Sequence, residues 1–599
     1  MAPVYDNKAQ AAYDYIVVGG GTAGAAVATR LSQTLPDKAI LLIEAGASAL
    51  DDPNVNIPGL FGRAFATSLD WNFASVPQAG LNNRVTQVNR GKMLGGSSGL
   101  NIMVWDRASA PEYDAWEKLG NPGWNWESMV AAMTKVEAFT PSPDYGGTAG
   151  VGTAGPVKTI INPYVPEHAK LWIPTLNSLG VPLNLESLGG NPLGAMFQPN
   201  TIDPKTYTRT YAANGYLPAA GPNLQIMTDT RVAKINLDAS PASPNRTATG
   251  VTLQDGTVIH ARNEVILSAG SIQSPGLLEL SGIGQKAVLD AAGIAQVVDL
   301  PGVGENLQDH VRVQATYQLK DGYTSNDRLR FDQAAAGEQM ALFRAGQLSM
   351  FDYSLSSFAF TNWEQTVGET AAAALTALAT QPAAPSLASD PSAATVTAAK
   401  LAFLANAAVP QVELIYANAN VGIKRYPLPD NPLYGQQFVT IMGGLMQPLS
   451  RGRVHVTSTN IDSPPAIDPN HLGSAYDVAA TVAIMHFVRH VANTPPLRDL
   501  WAAEYEPALD AGASEDEWRS YVRDTAGSIF HPVGTCAMLP RALGGVVSPE
   551  LTVYGTANLR VVDASVMPVL LSAHPQTAVY GIAERAAEFI VRDCKAGGR

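Results

Sequence analysis

Tyr13-Asp14-Tyr15-Ile16-Val17-Val18-Gly19-Gly20-Gly21-Thr22-Ala23-Gly24 is the stretch on which the fold turns. Its first half is a β-branched and aromatic run that reads as a buried strand. Glycines follow at once, and the small residues from Ala25 to Leu31 read as a helix. A second apolar strand, Ala39 to Glu44, ends on a carboxylate. This β-α-β order predicts an α/β fold with a doubly wound parallel sheet and right-handed crossovers. Gly19, Gly21 and Gly24 supply the G-x-G-x-x-G spacing. Glycine keeps the turn tight and lets the backbone approach a pyrophosphate, while the helix start offers free N–H groups and a positive dipole end. Glu44 falls twenty residues after Gly24, where a carboxylate can accept ribose hydroxyls. Thr22, Ala23 and Ala45 lie beside these positions and join the dinucleotide-site candidates. The pattern alone does not choose between FAD and NAD.

Further strand-like runs follow at Leu224–Thr228, Val232–Leu237, Ala248–Leu253 and Glu264–Ser268, with turn signals such as Asp255-Gly256 between them, and a last one at Leu559–Val562. The dinucleotide domain is therefore expected to be discontinuous. Residues 370–408 are dominated by Ala, Thr, Ser and Pro, and read either as alanine-rich helices broken at Pro382, Pro385 and Pro391 or as a flexible insertion.

The bulk properties exclude several classes of function. The chain has 599 residues, 46% of them apolar and 15% charged, which suits a globular protein with a buried cofactor. Its 39 basic and 52 acidic residues give a net charge of −13, and no basic run offsets this, so neither nucleic acid nor an anionic membrane is an expected partner. The two cysteines, Cys536 and Cys594, are too few for a disulfide framework or a zinc site, and no metal is expected. No run reaches the roughly 18 apolar residues of a membrane span. The N-terminus has no apolar signal core, and the sequon Asn245-Arg246-Thr247 leans toward secretion. A mature secreted protein is the expectation, with a cytosolic one as the alternative.

Two later motifs choose the cofactor. Gly91-Lys92-Met93-Leu94-Gly95-Gly96-Ser97-Ser98-Gly99-Leu100-Asn101, followed by Trp105, Ala108 and Asp114, resembles the first signature of the glucose-methanol-choline (GMC) oxidoreductases. Gly270-Ser271-Ile272-Gln273-Ser274-Pro275-Gly276-Leu277-Leu278 resembles the second. The runs Leu300 to His310 and Val562 to Pro568 are also similar to the family. The resemblance spans nearly the whole chain and implies a Rossmann-type FAD-binding domain plus an α+β substrate-binding domain with an antiparallel sheet. The expected boundaries are 10–65, 222–318 and 526–599 for the FAD domain, 66–105 for a flavin lid and signature loop, and 106–221 with 319–525 for the substrate domain. It implies FAD contacts at Met93, Gly95, Gly96, Ser98, Asn101, Ile102, Met103, Val104, Val232, Ala269, Asp563, Ala564, His574, Pro575, Gln576 and Thr577. Some members link FAD covalently through a histidine near the Asn101 position; this chain has none there, so non-covalent FAD is expected.

Two of the nine histidines carry the catalytic expectation. His531 lies in Ile529-Phe530-His531-Pro532, and His574 in Ser572-Ala573-His574-Pro575. Alcohol oxidation removes a hydride from carbon and a proton from oxygen, and an imidazole is a suitable proton acceptor near neutral pH. The family resemblance implies His531 as the base and His574 as the residue that binds the substrate oxygen. His310 reads as structural, and His486 with His490 as a helix-face pair and not metal ligands. Phe530 beside the base suggests a pocket for a flat, apolar alcohol, and its context resembles aryl-alcohol oxidases. The chain departs from them at Ile102, where those enzymes commonly have an aromatic residue; Phe530 and Ile102 are the pocket candidates.

The expected reaction is FAD-dependent oxidation of a primary alcohol, aryl or related, to its aldehyde. Oxygen (yielding hydrogen peroxide) or a quinone or dye would reoxidise the flavin, in a monomer or weak dimer. A sugar dehydrogenase of the same family, and a non-redox lyase or cyclase that keeps the flavin, are the alternatives.

Overall fold

The computed structural model describes residues 2–142, 147–238, 245–381, 390–510 and 512–597. Strand β1 (Ala12–Val18) and strand β2 (Ile40–Ile43) pair in parallel at the centre of an eight-stranded sheet. All four residues of β2 are buried, as expected where helices cover both faces of a parallel sheet. Each such Val, Ile or Leu contributes about 1.5–3 kcal/mol by leaving water. Helix α1 (Thr22–Thr34) connects the two strands and begins within the glycine fingerprint, earlier than the apolar run alone implied. It packs against helix α2 (Gln576–Gly597), so the two ends of the chain meet on one face of the sheet.

Strand β3 (Val258–Leu267) lies on the other side of β1 and is longer than its apolar core suggested. Its first half pairs with Ala248–Leu253 and its second half with Leu559–Val561. The runs 248–253 and 232–237 are strands, as read, but they join antiparallel, so the sheet is mixed and not wholly parallel. The Asp255-Gly256 turn explains this: a tight hairpin can join only antiparallel neighbours.

A second sheet is antiparallel throughout. Its order is Trp501–Glu506, β4 (Val311–Leu319), β7 (Phe438–Leu445), β6 (Val412–Ala417), β5 (Ser357–Thr361) and Gly194–Phe197. Gly527–Ser528 also pairs with β4. Residues 311–318 and 527–528 therefore lie in this second sheet, although the expected boundaries assigned them to the FAD domain. The chain enters the second sheet at Val311, directly after Asp309 and His310, so no loop signal marks the border. One face of the sheet, including Val311, Val313, Leu414, Ile441 and Leu445, packs with the helix Ala475–Ala492. The other face carries Phe358, Phe360, Ile415 and Met442, and turns toward the first domain.

The 370–408 segment contains two helices, Glu369–Ala379 and Ala393–Leu404. Pro382 and Pro385 lie outside the described residues, and Pro391 precedes the second helix. That helix is docked and not loose: buried Lys400 donates to the Pro448 carbonyl at 2.7 Å, and Asp390 pairs with buried Arg451 at 2.6 Å. Among the described residues no helix is long and apolar enough to cross a membrane.

Candidate active site and cofactor cradle

A cavity of about 350 Å³ runs between the two sheets. At one end the glycine turn after β1 meets the signature loop. A Cβ on Gly24 would stand 1.9 Å from the Gly19 carbonyl, so only glycine lets α1 approach the strand end. Gly96 has φ +52°, and a Cβ there would stand 2.7 Å from Gly21 Cα. The two turns are tied by Gly95 N–H donating to the Gly20 carbonyl at 2.7 Å. Glu44 accepts from Gly20 N–H and Gly46 N–H, both at 2.8 Å, and burial pushes its carboxyl up to about 7 against those hydrogen bonds. Each carboxylate oxygen has a further lone pair for a ribose hydroxyl. Trp71 stacks on Phe73 with centroids 5.7 Å apart, under the cations of Lys92 and Arg231.

Further along, Asp563 accepts from Gly270 N–H and Ser274 Oγ at the start of the helix Gly270–Leu280. Asn101 is locked on both sides: Oδ1 accepts from Arg209 at 2.7 Å and Nδ2 donates to Gln576. Of the expected cofactor residues, Gly19, Gly21, Thr22, Ala23, Glu44, Ala45, Gly96, Ser98, Asn101, Ile102, Val104, Val232, Ala269, Asp563, Ala564, His574, Pro575 and Gln576 line the cavity. Gly24, Met93, Gly95, Met103 and Thr577 do not; they stand behind the wall. Gly95 backs onto the Tyr211 ring, and Thr577 is buried.

The cavity lining fits FAD. Its glycine turns would be filled by any Cβ, its acid sits at the strand end, and buried His574 Nε2 has no protein partner. Glu44 and the glycine turns would hold the nucleotide half, and Asn101, Pro575 and Gln576 would lie along the flavin half.

The two expected catalytic histidines come together there. Their rings meet edge to face with centroids 4.6 Å apart. His574 Nδ1 lies 2.8 Å from Asp106 Oδ2 and 3.6 Å from Glu413 Oε1. Burial lowers its pKa, but the two carboxylates outweigh this and push it up to about 9. These three ligand-type atoms are close enough to hold a metal, yet the 2.8 Å contact and paired charges are those of an imidazolium clamped by acids.

His531 has the opposite environment. Burial first, then its neighbours His574, His310 and Arg90, hold it well below the usual imidazole range. Its Nδ1 lies 2.9 Å from Nδ1 of His310, and its backbone N–H donates to Asp309 at 2.8 Å. His310, read from the sequence as structural, thus lies in direct contact with the expected base. Residues 308–310 run antiparallel to 529–533, joined by the Gln308–Val533 hydrogen bonds, and this carries His310 onto the base. Burial pushes His310 down to about 3, so it is neutral. A neutral partner can accept from His531 Nδ1–H, which leaves the lone pair of His531 on Nε2.

Phe530 and Ile102 both line the cavity. Phe530 has φ +67° and is held by Ser528 Oγ at its N–H and by Arg90 at its carbonyl. Its ring meets Phe65 edge-on at 6.0 Å. His486 and His490 are exposed on their helix, and His486 contacts Glu515. Cys536 and Cys594 are unbridged.

Asp106, Glu413 and Arg312 escaped the sequence reading. Glu413 interrupts an otherwise apolar strand, and a lone charge in a buried strand is a usable signal, whereas Arg312 falls on the polar side of an alternating strand. Asp106 ends the signature stretch and has no such contrast.

Two family models described as GMC oxidoreductase match residues 13–312 and 448–583. The GMC oxidoreductase family protein Mala s 12 of Malassezia sympodialis is 34% identical over 97% of this chain and 92% of its own. An FAD-dependent oxidoreductase from Chaetomium thermophilum superposes with a TM-score of 0.86, at 30% identity over 97% of this chain and 100% of that one. A fungal aryl-alcohol oxidase superposes at 0.82, with 28% identity over 98% and 100%.

Proposed function

Because this chain belongs to the GMC oxidoreductase family, FAD enzymes acting on CH–OH donors, we propose that it oxidises a primary aryl alcohol to the aldehyde, with His531 as base. The observation that carries this is the unequal histidine pair, one neutral and one cationic, at the end of a cavity lined by Phe61, Phe65, Leu355, Ile415, Met442 and Phe530. Such a lining favours a flat apolar ring over a polyol.

FAD supplies the hydride acceptor, and this chain's residues handle the proton. His574 donates its Nε2–H to the alcohol oxygen, and its positive charge stabilises the alkoxide as the proton leaves. His531 Nε2 takes that proton. His310 fixes the tautomer, and Asp309 fixes the backbone of the base. Apolar walls exclude water that would compete for both imidazoles. A cationic His574 also favours oxygen as the final acceptor, since it stabilises the charge that develops when oxygen is reduced.

Steady-state comparison of benzylic alcohols with glucose tests the substrate. Turnover of benzylic alcohols well above glucose is expected; fast turnover of glucose alone would overturn the aryl reading. Peroxide should form stoichiometrically under air.

A pH profile follows from the two imidazoles. His574 is raised, so its proton is present at neutral pH and lost as pH rises through about 9. His531 is depressed, so it remains a competent base well below pH 6.5. The kcat/KM profile should be a broad plateau with an alkaline limb near 9. Asp106→Asn removes one raising carboxylate and should move that limb to lower pH; an unmoved limb would show that another group sets it.

A further inference from the structure

One charged side chain in the substrate half of the cavity has no part in the proton chemistry. Arg312 stands on β4 in a wall otherwise formed there by Leu355, Ile415, Val421, Met442 and Ile529. It lies deep in the protein yet keeps accessible surface, which faces the cavity.

The sheet register places it relative to the reacting end. Arg312 is directly opposite Gly444 on β7, and Gly444 is directly opposite Glu413 on β6. Residues opposite one another share a face, so Arg312 and Glu413 stand in one row with a glycine between them. Two strand spacings of ~4.8 Å separate their backbones by roughly 10 Å, about the length of a benzene ring with a substituent at each end. Glu413 is the carboxylate 3.6 Å behind His574. Gly444 leaves room in the intervening floor for the Ile529 side chain, whose Cδ1 a Cβ at Gly444 would meet at 2.9 Å.

The guanidinium is only partly used. Arg312 Nη1 donates to Gln314 Oε1 at 2.5 Å. Among the described residues no carboxylate lies within ion-pair distance. Glu506 acts on Arg312 only from behind Gln314, and accepts from Ile423 N–H, Lys424 N–H, Gln314 and Tyr521. Arg90, another cation at the cavity, is committed to the carbonyls of Asn89 and Phe530. A buried guanidinium with a free edge is an unfilled site for a planar anion, since its fork matches a carboxylate. One free guanidinium balances one negative charge, which favours a carboxylate over a phosphate dianion.

We propose that the substrate is an aryl alcohol carrying a carboxylate across the ring from its CH2OH group, held by Arg312 while His531 and His574 engage the hydroxyl. This rests on the alcohol-oxidation reading and narrows its substrate class. The carboxylate is unchanged in the reaction; only CH2OH becomes CHO.

The holoenzyme is assayed with 4-(hydroxymethyl)benzoate, its neutral methyl ester and benzyl alcohol. The wild type should favour the carboxylate in kcat/KM by roughly 10- to 100-fold, as expected of a charge-assisted hydrogen-bonded pair. Arg312→Met should erase that preference while changing benzyl alcohol by less than about 3-fold, and Arg312→Lys should restore part of it. Binding is read separately from turnover, by perturbation of the flavin absorbance with unreactive 4-methylbenzoate, whose affinity should fall by a similar factor in Arg312→Met. Equal kcat/KM for acid and ester in the wild type would overturn the proposal without touching the aryl-alcohol reading, and needs no variant to fold. Failure of all three compounds to turn over would overturn both. Tight 4-methylbenzoate binding that survives Arg312→Met would place the anion elsewhere and also overturn it.

Discussion

His531→Ala should lower the rate of flavin reduction by an alcohol about 1,000-fold while leaving FAD stoichiometrically bound. Positioned proton transfer is worth roughly 10²–10⁴ in rate, and here the base is set up by its surroundings. Burial and the His574 charge keep it neutral, and His310 leaves its lone pair on the cavity side. Stopped-flow mixing of wild type and variant with the same alcohol reads the effect, and the flavin-to-protein absorbance ratio checks occupancy. A variant within 10-fold of wild type would remove His531 from the proton path. His574→Ala should lose less in the reductive rate and more in alcohol affinity, because it anchors the oxygen rather than taking the proton.

Gly96→Ala should yield folded protein without flavin. The new methyl group would stand 2.7 Å from Gly21 Cα, where two backbones meet and neither can swing aside as a side chain would. The positive φ of 52° adds strain for any residue with a Cβ. The cheapest relief is to part the two glycine turns, which opens the cradle for the nucleotide but leaves the strands of the sheet paired. Purified Gly96→Ala should be colourless with unchanged far-ultraviolet circular dichroism. Gly337→Ala is the control: that glycine lies in a helix with open space beside it, and FAD content should not change. A fully yellow Gly96→Ala would show that the two turns tolerate separation.

The legible parts of this protein are those in which local chemistry dictates geometry. The run from Tyr13 to Gly24 can only be a strand entering a glycine turn, and Glu44 at the next strand end follows from the same unit. His531 and His574 were legible because each sits in a short motif with its own turn chemistry. What was not legible depends on register. His310 reaches the base only because 308–310 pairs with 529–533, more than two hundred residues apart in sequence. Glu413 and Asp106, which give His574 its charge, come from widely separated stretches of the chain and carry no motif. The parallel sheet turned out mixed because a hairpin at Asp255-Gly256 reverses the direction of its edge. The border at 318 was misplaced for a related reason: β4 starts immediately after a motif that belongs to the first domain.

The central claim is that the histidine pair serves a redox reaction on an alcohol. Anaerobic mixing of the holoenzyme with excess benzylic alcohol tests it most directly, because it isolates the reductive half-reaction from any acceptor. The flavin absorbance should bleach fully in a single exponential phase, with one equivalent of aldehyde formed per flavin. An enzyme whose flavin stays oxidised with benzylic, aliphatic and sugar alcohols alike would contradict the account, and would leave the pair as acid and base for non-redox chemistry.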